Sequence, residues 1–202
     1  MRIFPHFSVV GFCNTYVVGP SEPGPCIIID PGHIDEEIIN LIVSHGYTVE
    51  SVLVTHSHET HWSGLGTLLK IWNPTVYAST PSLYSFPVTK VEDYQKLEIS
   101  GFTVEAIHVP GHSLDSMVYV IDHAIFSGDT LECGRIATTN GYMEQELLLN
   151  AVEERLMSMN ENFLLFPGHG TISKLRIERM FNQDLLRLRT IERARSFWRD
   201  EE

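Results

Sequence analysis

The sequence predicts a mixed α and β fold, and its pattern suggests two sheets covered by helices. Three observations lead there. Short apolar runs bounded by Gly, Pro, Asn and Asp recur through the first half, as strands do. Segments with apolar residues at helical spacing are interspersed among them. The 202 residues, 43% hydrophobic and 20% charged, suffice for one domain with a proper core.

Taken in order, Ile3–Ser8, Asn14–Val18 and Cys26–Asp30 read as strands, the last ending at the turn "PGH". "IDEEIINLIVSHG" carries Ile34, Ile38, Leu41 and Ile42 at helical spacing and stops at Gly46. "VESVLVT" is a buried strand that leads into a histidine cluster, "GLGTLLKIW" is helical, and "PTVYAS" is a strand. In the second half "FTVEAIHV", "SMVYVID" and "AIFSGD" are strands, and "MEQELLLNAVEERLMSM" is one long amphipathic helix. "NFLLF" is a buried strand ending in "PGHG", and the tail from Ser173 onward forms one or two helices. No repeat, low-complexity tract or linker interrupts the chain.

The formal net charge of −12 repels a phosphate backbone and argues against nucleic acid as a partner. Only the segment after His169 is basic, with eight Lys/Arg against six Asp/Glu, which reads as a solvated helix face. Three widely spaced cysteines, Cys13, Cys26 and Cys133, form no CxxC and no disulfide framework. The opening "MRIFPHFSVVGFCNTYVVG" is broken by Pro5, His6 and Asn14 and is no signal peptide, and no apolar run approaches membrane-spanning length. These readings place the chain in a reducing cytoplasm, with no membrane partner and with its oligomeric state open.

The stretch "VTHSHETHWSG" crowds His56, His58 and His61 into six positions at the end of a strand. Such spacing gathers several neutral nitrogen donors around one point, as a borderline metal such as zinc requires. Three further candidates repeat the context of a tight turn after an apolar strand: His112 in "VPGHS", Asp129 in "FSGDT" and His169 in "FPGHG". Strand ends on one rim of a sheet converge in space, so distant segments can meet there. His6, His33, His45, His108 and His123 lack such context and read as ordinary core or surface residues.

Asp30-Pro31-Gly32, "THSHETHWSG", "PGHS", "SGDT" and "PGHG", in this order and over nearly the whole chain, resemble the metallo-β-lactamase superfamily. The resemblance implies an α+β fold, an αββα sandwich of two mixed sheets flanked by helices, with residues 1–202 as a single domain and 171–202 as its helical C-terminal segment. It implies that His56, His58 and His112 hold a first metal, that Asp129 bridges, and that His61 and His169 hold a second. His112 and Asp129 are then the catalytic centre, and Asp30 orients a histidine through its second ring nitrogen. Zinc is the expected metal, with iron and manganese as alternatives.

One position departs from the family pattern. An aspartate that helps hold the second metal is replaced by Thr60, a poor ligand that removes one negative charge. A full first site and a weak second site follow, unless Glu59 reaches in from one position earlier. The reaction implied is hydrolysis of a thioester or related carbonyl by metal-activated hydroxide, and no GxSxG elbow offers a side-chain nucleophile instead. Within the superfamily, "GDTLECGRIATTNG" is similar to the glyoxalase II proteins, the hydroxyacylglutathione hydrolases, in their short form. There Arg135 would meet a carboxylate of a small anionic thioester. Two alternatives stay open: a mononuclear iron oxygenase of the persulfide-dioxygenase type on His56, His112 and Asp129, and a non-catalytic relative.

Overall fold

The computed structural model describes residues 1–190. Strands β1 (Arg2–Phe7), β2 (Asn14–Gly19), β3 (Gly24–Ile29), β4 (Tyr47–Leu53), β5 (Thr75–Ala78) and β6 (Thr89–Lys90) form one six-stranded sheet in that order. The β3–β4, β4–β5 and β5–β6 pairs are parallel and the other two antiparallel. A second sheet holds β7 (Lys96–Ile99), β8 (Phe102–His108), β9 (Met117–Ile121), β10 (Ala124–Gly128), β11 (Leu164–Pro167) and β12 (Ser173–Lys174). Its order runs from β7 to β12, and only β10–β11 is parallel. Both sheets are mixed.

Helices α1 (Glu36–Ser44) and α2 (Leu65–Ile71) cover the first sheet, and α3 (Tyr142–Ala151) covers the second. The sequence explains the layers through side-chain alternation. In β3, Ile27 and Ile29 face the other sheet and pack with Tyr119, Phe126 and Phe166. Cys26 and Ile28 point the opposite way, onto Ile38 and Ile42 of α1 and Leu65 and Leu68 of α2. Hence Cys26–Ile29 is apolar at every position: both faces of its strand are buried. The same holds for β9, where Tyr119 joins the inter-sheet core while Val118 and Val120 pack outward with Leu148 and Val152. Three cores between four layers make an αββα sandwich. The Tyr16 ring meets Phe126 and Phe166 edge-on at 5.5 and 5.4 Å, which locks the sheets together near the site.

The expected helix from Met143 to Met159 ends early. After Ala151 the chain widens by one residue, and the Met157 N–H donates to the Val152 carbonyl at 3.0 Å. The tail gives β12, then α4 (Leu175–Phe181), then a second helix over 183–190 beyond a break at Asn182. Fully buried Glu178 fastens it, accepting from the Ser173 hydroxyl, the Gly134 N–H and the Asn182 amide. The rest of the expected helical segment, with Arg193, Arg195 and Arg199, lies outside the described residues. No helix among the described residues is long and apolar enough to cross a membrane.

Candidate metal centre

The strand directions bring the candidate residues to one edge. Strands β3 and β4 run parallel, so Asp30 and the histidine stretch leave the first sheet on the same side. Strands β8 and β10 both run antiparallel to β9, and β11 runs parallel to β10. Their C-terminal ends, which lead to His112, Asp129 and His169, therefore share one side of the second sheet. Bonds across the sheets hold these edges together: the Met117 N–H donates to the Thr55 carbonyl at 2.7 Å, and the Tyr16 hydroxyl to that of Pro167 at 2.6 Å.

Two groups of donors result, each within 4.8 Å internally. One is His56, His58, His112 and Asp129, and the other is His61, Asp129 and His169. The Nε2 atoms of His56, His112 and His169 lie 3.6, 3.5 and 3.5 Å from Asp129 Oδ2, and His61 Nε2 lies 3.3 Å from Oδ1. His58 Nδ1 is 3.0 Å from Nε2 of both His56 and His112. His56, His61 and Asp129 form a buried floor, His112 and His169 are half-buried, and His58 is exposed. The cluster thus opens to solvent on one side.

The outer ring nitrogens decide where the protons sit. His112 Nδ1 lies 3.0 Å from the Thr138 carbonyl, and His169 Nδ1 lies 2.8 Å from the Phe12 carbonyl. His61 Nδ1 lies 3.0 Å from Asp30 Oδ2. These partners only accept, so each Nδ1 carries a proton. The Thr55 hydroxyl donates to Asp30 Oδ2 at 2.7 Å, which leaves its oxygen to accept from His56 Nδ1 at 3.1 Å. Every inward Nε2 of a neutral ring is therefore a bare lone pair, aimed at a carboxylate that also only accepts. Buried His61 Nε2 and Asp129 Oδ1 have no hydrogen-bond partner at all. A shell made only of acceptors requires positive charge at its centre, and four imidazoles sharing one carboxylate suit a borderline dication.

Without an ion, a proton on one ring supplies that charge. Burial, and then His61, push His56 down to about 2 against the pull of Asp129. Burial opposes charge on His61 too, but the Asp30 and Asp129 carboxylates override it and raise that ring to about 10. The rings differ because His61 touches two carboxylates. Burial would raise Asp129, yet its contacts with His169 and His61 hold it well below the usual carboxylate range.

Two glycines keep space beside the cluster. A Cβ on Gly168 would come within 2.4 Å of Asp129 Oδ1 and 2.6 Å of His61 Cε1. One on Gly32 would strike the Thr60 carbonyl oxygen at 2.0 Å and Cys13 Sγ at 2.4 Å. Asp30 precedes that turn in the left-handed region, φ 50°, which a short polar residue tolerates. The turn carrying His58 and His61 is pinned by the Trp62 indole, which donates to the Ser57 carbonyl at 2.8 Å.

Among the described residues, Thr60 and Glu59 are exposed and join neither donor group. Arg135 sits on a short hairpin (Leu131–Glu132 with Arg135–Ile136), its guanidinium 2.6 Å from Glu132 Oε2. His45 caps α1, its ring at 2.8 Å from the Leu41 carbonyl, and His108 binds the Leu114 carbonyl. His6 lies 3.2 Å from Asp35 and forms with it and Glu37 a third compact donor group, although nothing in the spacing set it apart from the other lone histidines. Sequence reasoning missed Phe12, Thr55 and Thr138. Phe12 and Thr138 act through backbone carbonyls, which leave no mark on residue type.

A family profile described as the metallo-β-lactamase superfamily matches residues 8–98. The chain is 28% identical over 173 residues to a hydroxyacylglutathione hydrolase of Methylobacillus flagellatus, covering 83% of this chain and 66% of that protein. It is 30% identical over 168 residues to the probable metallo-hydrolase YqgX of Bacillus subtilis, covering 72% and 80%. It is 31% identical over 189 residues to an atrochrysone carboxyl ACP thioesterase of Aspergillus fumigatus, covering 86% and 42%. The chain thus spans just under two thirds of the first of these relatives and less than half of the last. The crystal structure of ETHE1 from Myxococcus xanthus has the same fold, with a TM-score of 0.78 at 22% identity over 91% of this chain and 84% of that one.

Proposed function

The chain belongs to the metallo-β-lactamase superfamily, and from that membership we propose that it is a metal-dependent hydrolase of thioesters or related carbonyl compounds, like the hydroxyacylglutathione hydrolases it is similar to. The observation that supports this reading most is the shell of bare lone pairs around Asp129, with His61 Nε2 and Asp129 Oδ1 buried and unpartnered. We assign His56, His58, His112 and Asp129 to one ion, and His61 and His169, sharing Asp129, to a second. Nitrogen-rich donors favour zinc over harder ions, with iron and manganese as the alternatives. A bound dication of this kind supplies an acidified water and polarises the substrate carbonyl.

The chain's own residues do the rest. Asp30, Thr55, Thr138 and Phe12 hold the Nδ1 protons outward, so the inward nitrogens are left to bind an ion, His61 giving up its second proton as the ion enters. His58, His112 and His169 line the open side, where a substrate enters. Asp129, which its histidine contacts keep ionised, serves as the shared anionic ligand and not as a proton carrier, so the leaving group departs without a proton from it. A thiolate needs little such help, since a thiol has a pKa of about 8.5. Thr138 also lines a cavity of about 410 Å³ walled by Ile136, Ala137, Leu149 and Leu188, with Glu146 and Asp184 facing the single charge of Arg187. We place an uncharged acyl part of the thioester there. The Glu132 contact of Arg135 competes with a direct role in holding a substrate anion.

The one-metal oxygenase is the second reading. His56 and His112 approach the same oxygen of Asp129, at 3.6 and 3.5 Å, which is a two-histidine, one-carboxylate set. His58, at 3.0 Å from both rings, favours the hydrolase. Elemental analysis of purified protein with turnover assays on S-lactoylglutathione and simple thioesters separates them. Bound iron with thiol-dependent oxygen uptake and no thioester turnover would reverse the choice.

A further inference from the structure

The loop between β1 and β2 lies at the same sheet edge as the donor cluster and touches it twice. The Phe12 carbonyl accepts from His169 Nδ1 at 2.8 Å. The Cys13 thiol donates to the Thr60 carbonyl at 3.0 Å, one residue before His61. His61 and His169 are the two histidines of the second donor group, and they come from chain segments more than a hundred residues apart. One short loop therefore contacts both of their carriers.

The local backbone is shaped for these contacts. Phe12 holds φ at 52°, a left-handed conformation that bulky residues avoid and that persists only when its surroundings demand it. Cys13 is fully buried, and its sulfur and the Thr60 carbonyl fill the space that a side chain on Gly32 would need. The next residue, Asn14, extends the grip. Its side-chain amide donates to the carbonyls of Pro167 and Gly170 at 3.0 and 2.9 Å, on either side of His169. Its backbone N–H donates to the Gly168 carbonyl at 2.7 Å. Among the described residues, no hydrogen bond joins this loop to His56 or His112 of the first group: His112 rests on Thr138, and His56 on Thr55.

We propose that Phe12-Cys13-Asn14 is a clamp for the second metal group, with Cys13 as the positioning residue that sets the turn bearing His61. This rests on the two-ion reading above. With Thr60 where the family pattern has a carboxylate ligand, the second ion depends on His61, His169 and Asp129 alone, so small displacements of His61 weaken it more than they would a four-ligand site.

The test is Co²⁺ titration of the metal-free protein, followed through the visible ligand-field bands of each binding event, with melting temperature measured alongside. Wild type is expected to show two events. Cys13→Ala should weaken the second at least about ten-fold, the scale on which support of metal ligands acts, and leave the first within about two-fold. Cys13→Ser keeps a donor and should restore most of the second event. Cys26→Ala removes another buried thiol, packed on the outer face of β3, and should change neither event. The clamp is overturned if Cys13→Ala shifts both events equally, or lowers the melting temperature with the second event unchanged. If wild type itself takes up a single ion at every Co²⁺ concentration, the two-ion reading fails and the clamp falls with it. That failure is visible before any variant is made.

Discussion

Asp30→Asn tests the claim that protons are held outward so that nitrogen lone pairs face inward. Asp30 is buried and accepts three hydrogen bonds: from the Thr55 N–H at 2.8 Å, the Thr55 hydroxyl at 2.7 Å and His61 Nδ1 at 3.0 Å. Asparagine has the same shape and tolerates the left-handed backbone at φ 50°, so the turn should survive. It carries one acceptor oxygen where aspartate has two. With its NH₂ on the Thr55 N–H, two donors collide inside the protein. With its NH₂ on the other side, the Thr55 hydroxyl can rotate to accept, but the His61 Nδ1 proton cannot stay. The ring then takes the other tautomer and carries its proton on Nε2, the atom that faces Asp129. A protonated Nε2 is no ligand. The expected loss at the second ion is about ten- to a hundred-fold in affinity, the usual effect of removing a carboxylate behind a ligating histidine. That equals about 1.4 to 2.7 kcal/mol. The assay is zinc titration against a chromophoric chelator, with ¹⁵N chemical shifts of the zinc-loaded protein reporting whether His61 Nδ1 keeps its proton. Unchanged affinity together with an unchanged tautomer would refute the reasoning.

Three further outcomes are expected. His112→Ala removes a half-buried ligand at the sheet edge, so it should strip the first ion and most turnover while circular dichroism and melting stay near wild type; full metal retention contradicts the assignment. Thr60→Asp places a carboxylate one residue before His61 and should tighten the second ion after dialysis against a mild chelator; equal retention by wild type would show that Thr60 is not the weak point. Burial raises the thiols of Cys13 to about 11 and of Cys26 to about 12, with carboxylates adding to it, so both stay protonated well above pH 8. Iodoacetamide at pH 8 should therefore modify only exposed Cys133 in the native protein and all three thiols in urea, read by mass spectrometry. Labelling of Cys13 without denaturant would contradict its buried place against Thr60.

The layers were legible where the physics leaves a period in the sequence. Cys26–Ile29 and Met117–Ile121 are apolar throughout because both faces of β3 and β9 are covered, and α1 shows its spacing because one face meets a sheet. The order of the layers came from the resemblance, since alternation alone gives strands and not their partners. Strands β6 and β7 went unread because they are short: β6 is two exposed polar residues, and the alternation of β7, Lys-Leu-Glu-Ile, lasts only four positions. The helix over 143–159 looked continuous because no Gly or Pro marks the widening after Ala151. At the site, the inward residues were readable by type: histidines and an aspartate after strand ends. Of what holds them, Asp30 came from the resemblance and the rest was not readable. Carbonyls of Phe12 and Thr138 belong to every residue alike, and Cys13 looked like any unpaired cysteine until Thr60 was found beside it.

The most direct measurement is metal content and turnover on one preparation of the purified chain. The account predicts bound divalent metal, rich in zinc, and hydrolysis of S-lactoylglutathione or a simple thioester. Both should disappear on chelation and return when zinc is added back. A protein that binds zinc in neither donor group, or that binds it fully and hydrolyses no thioester, contradicts the account.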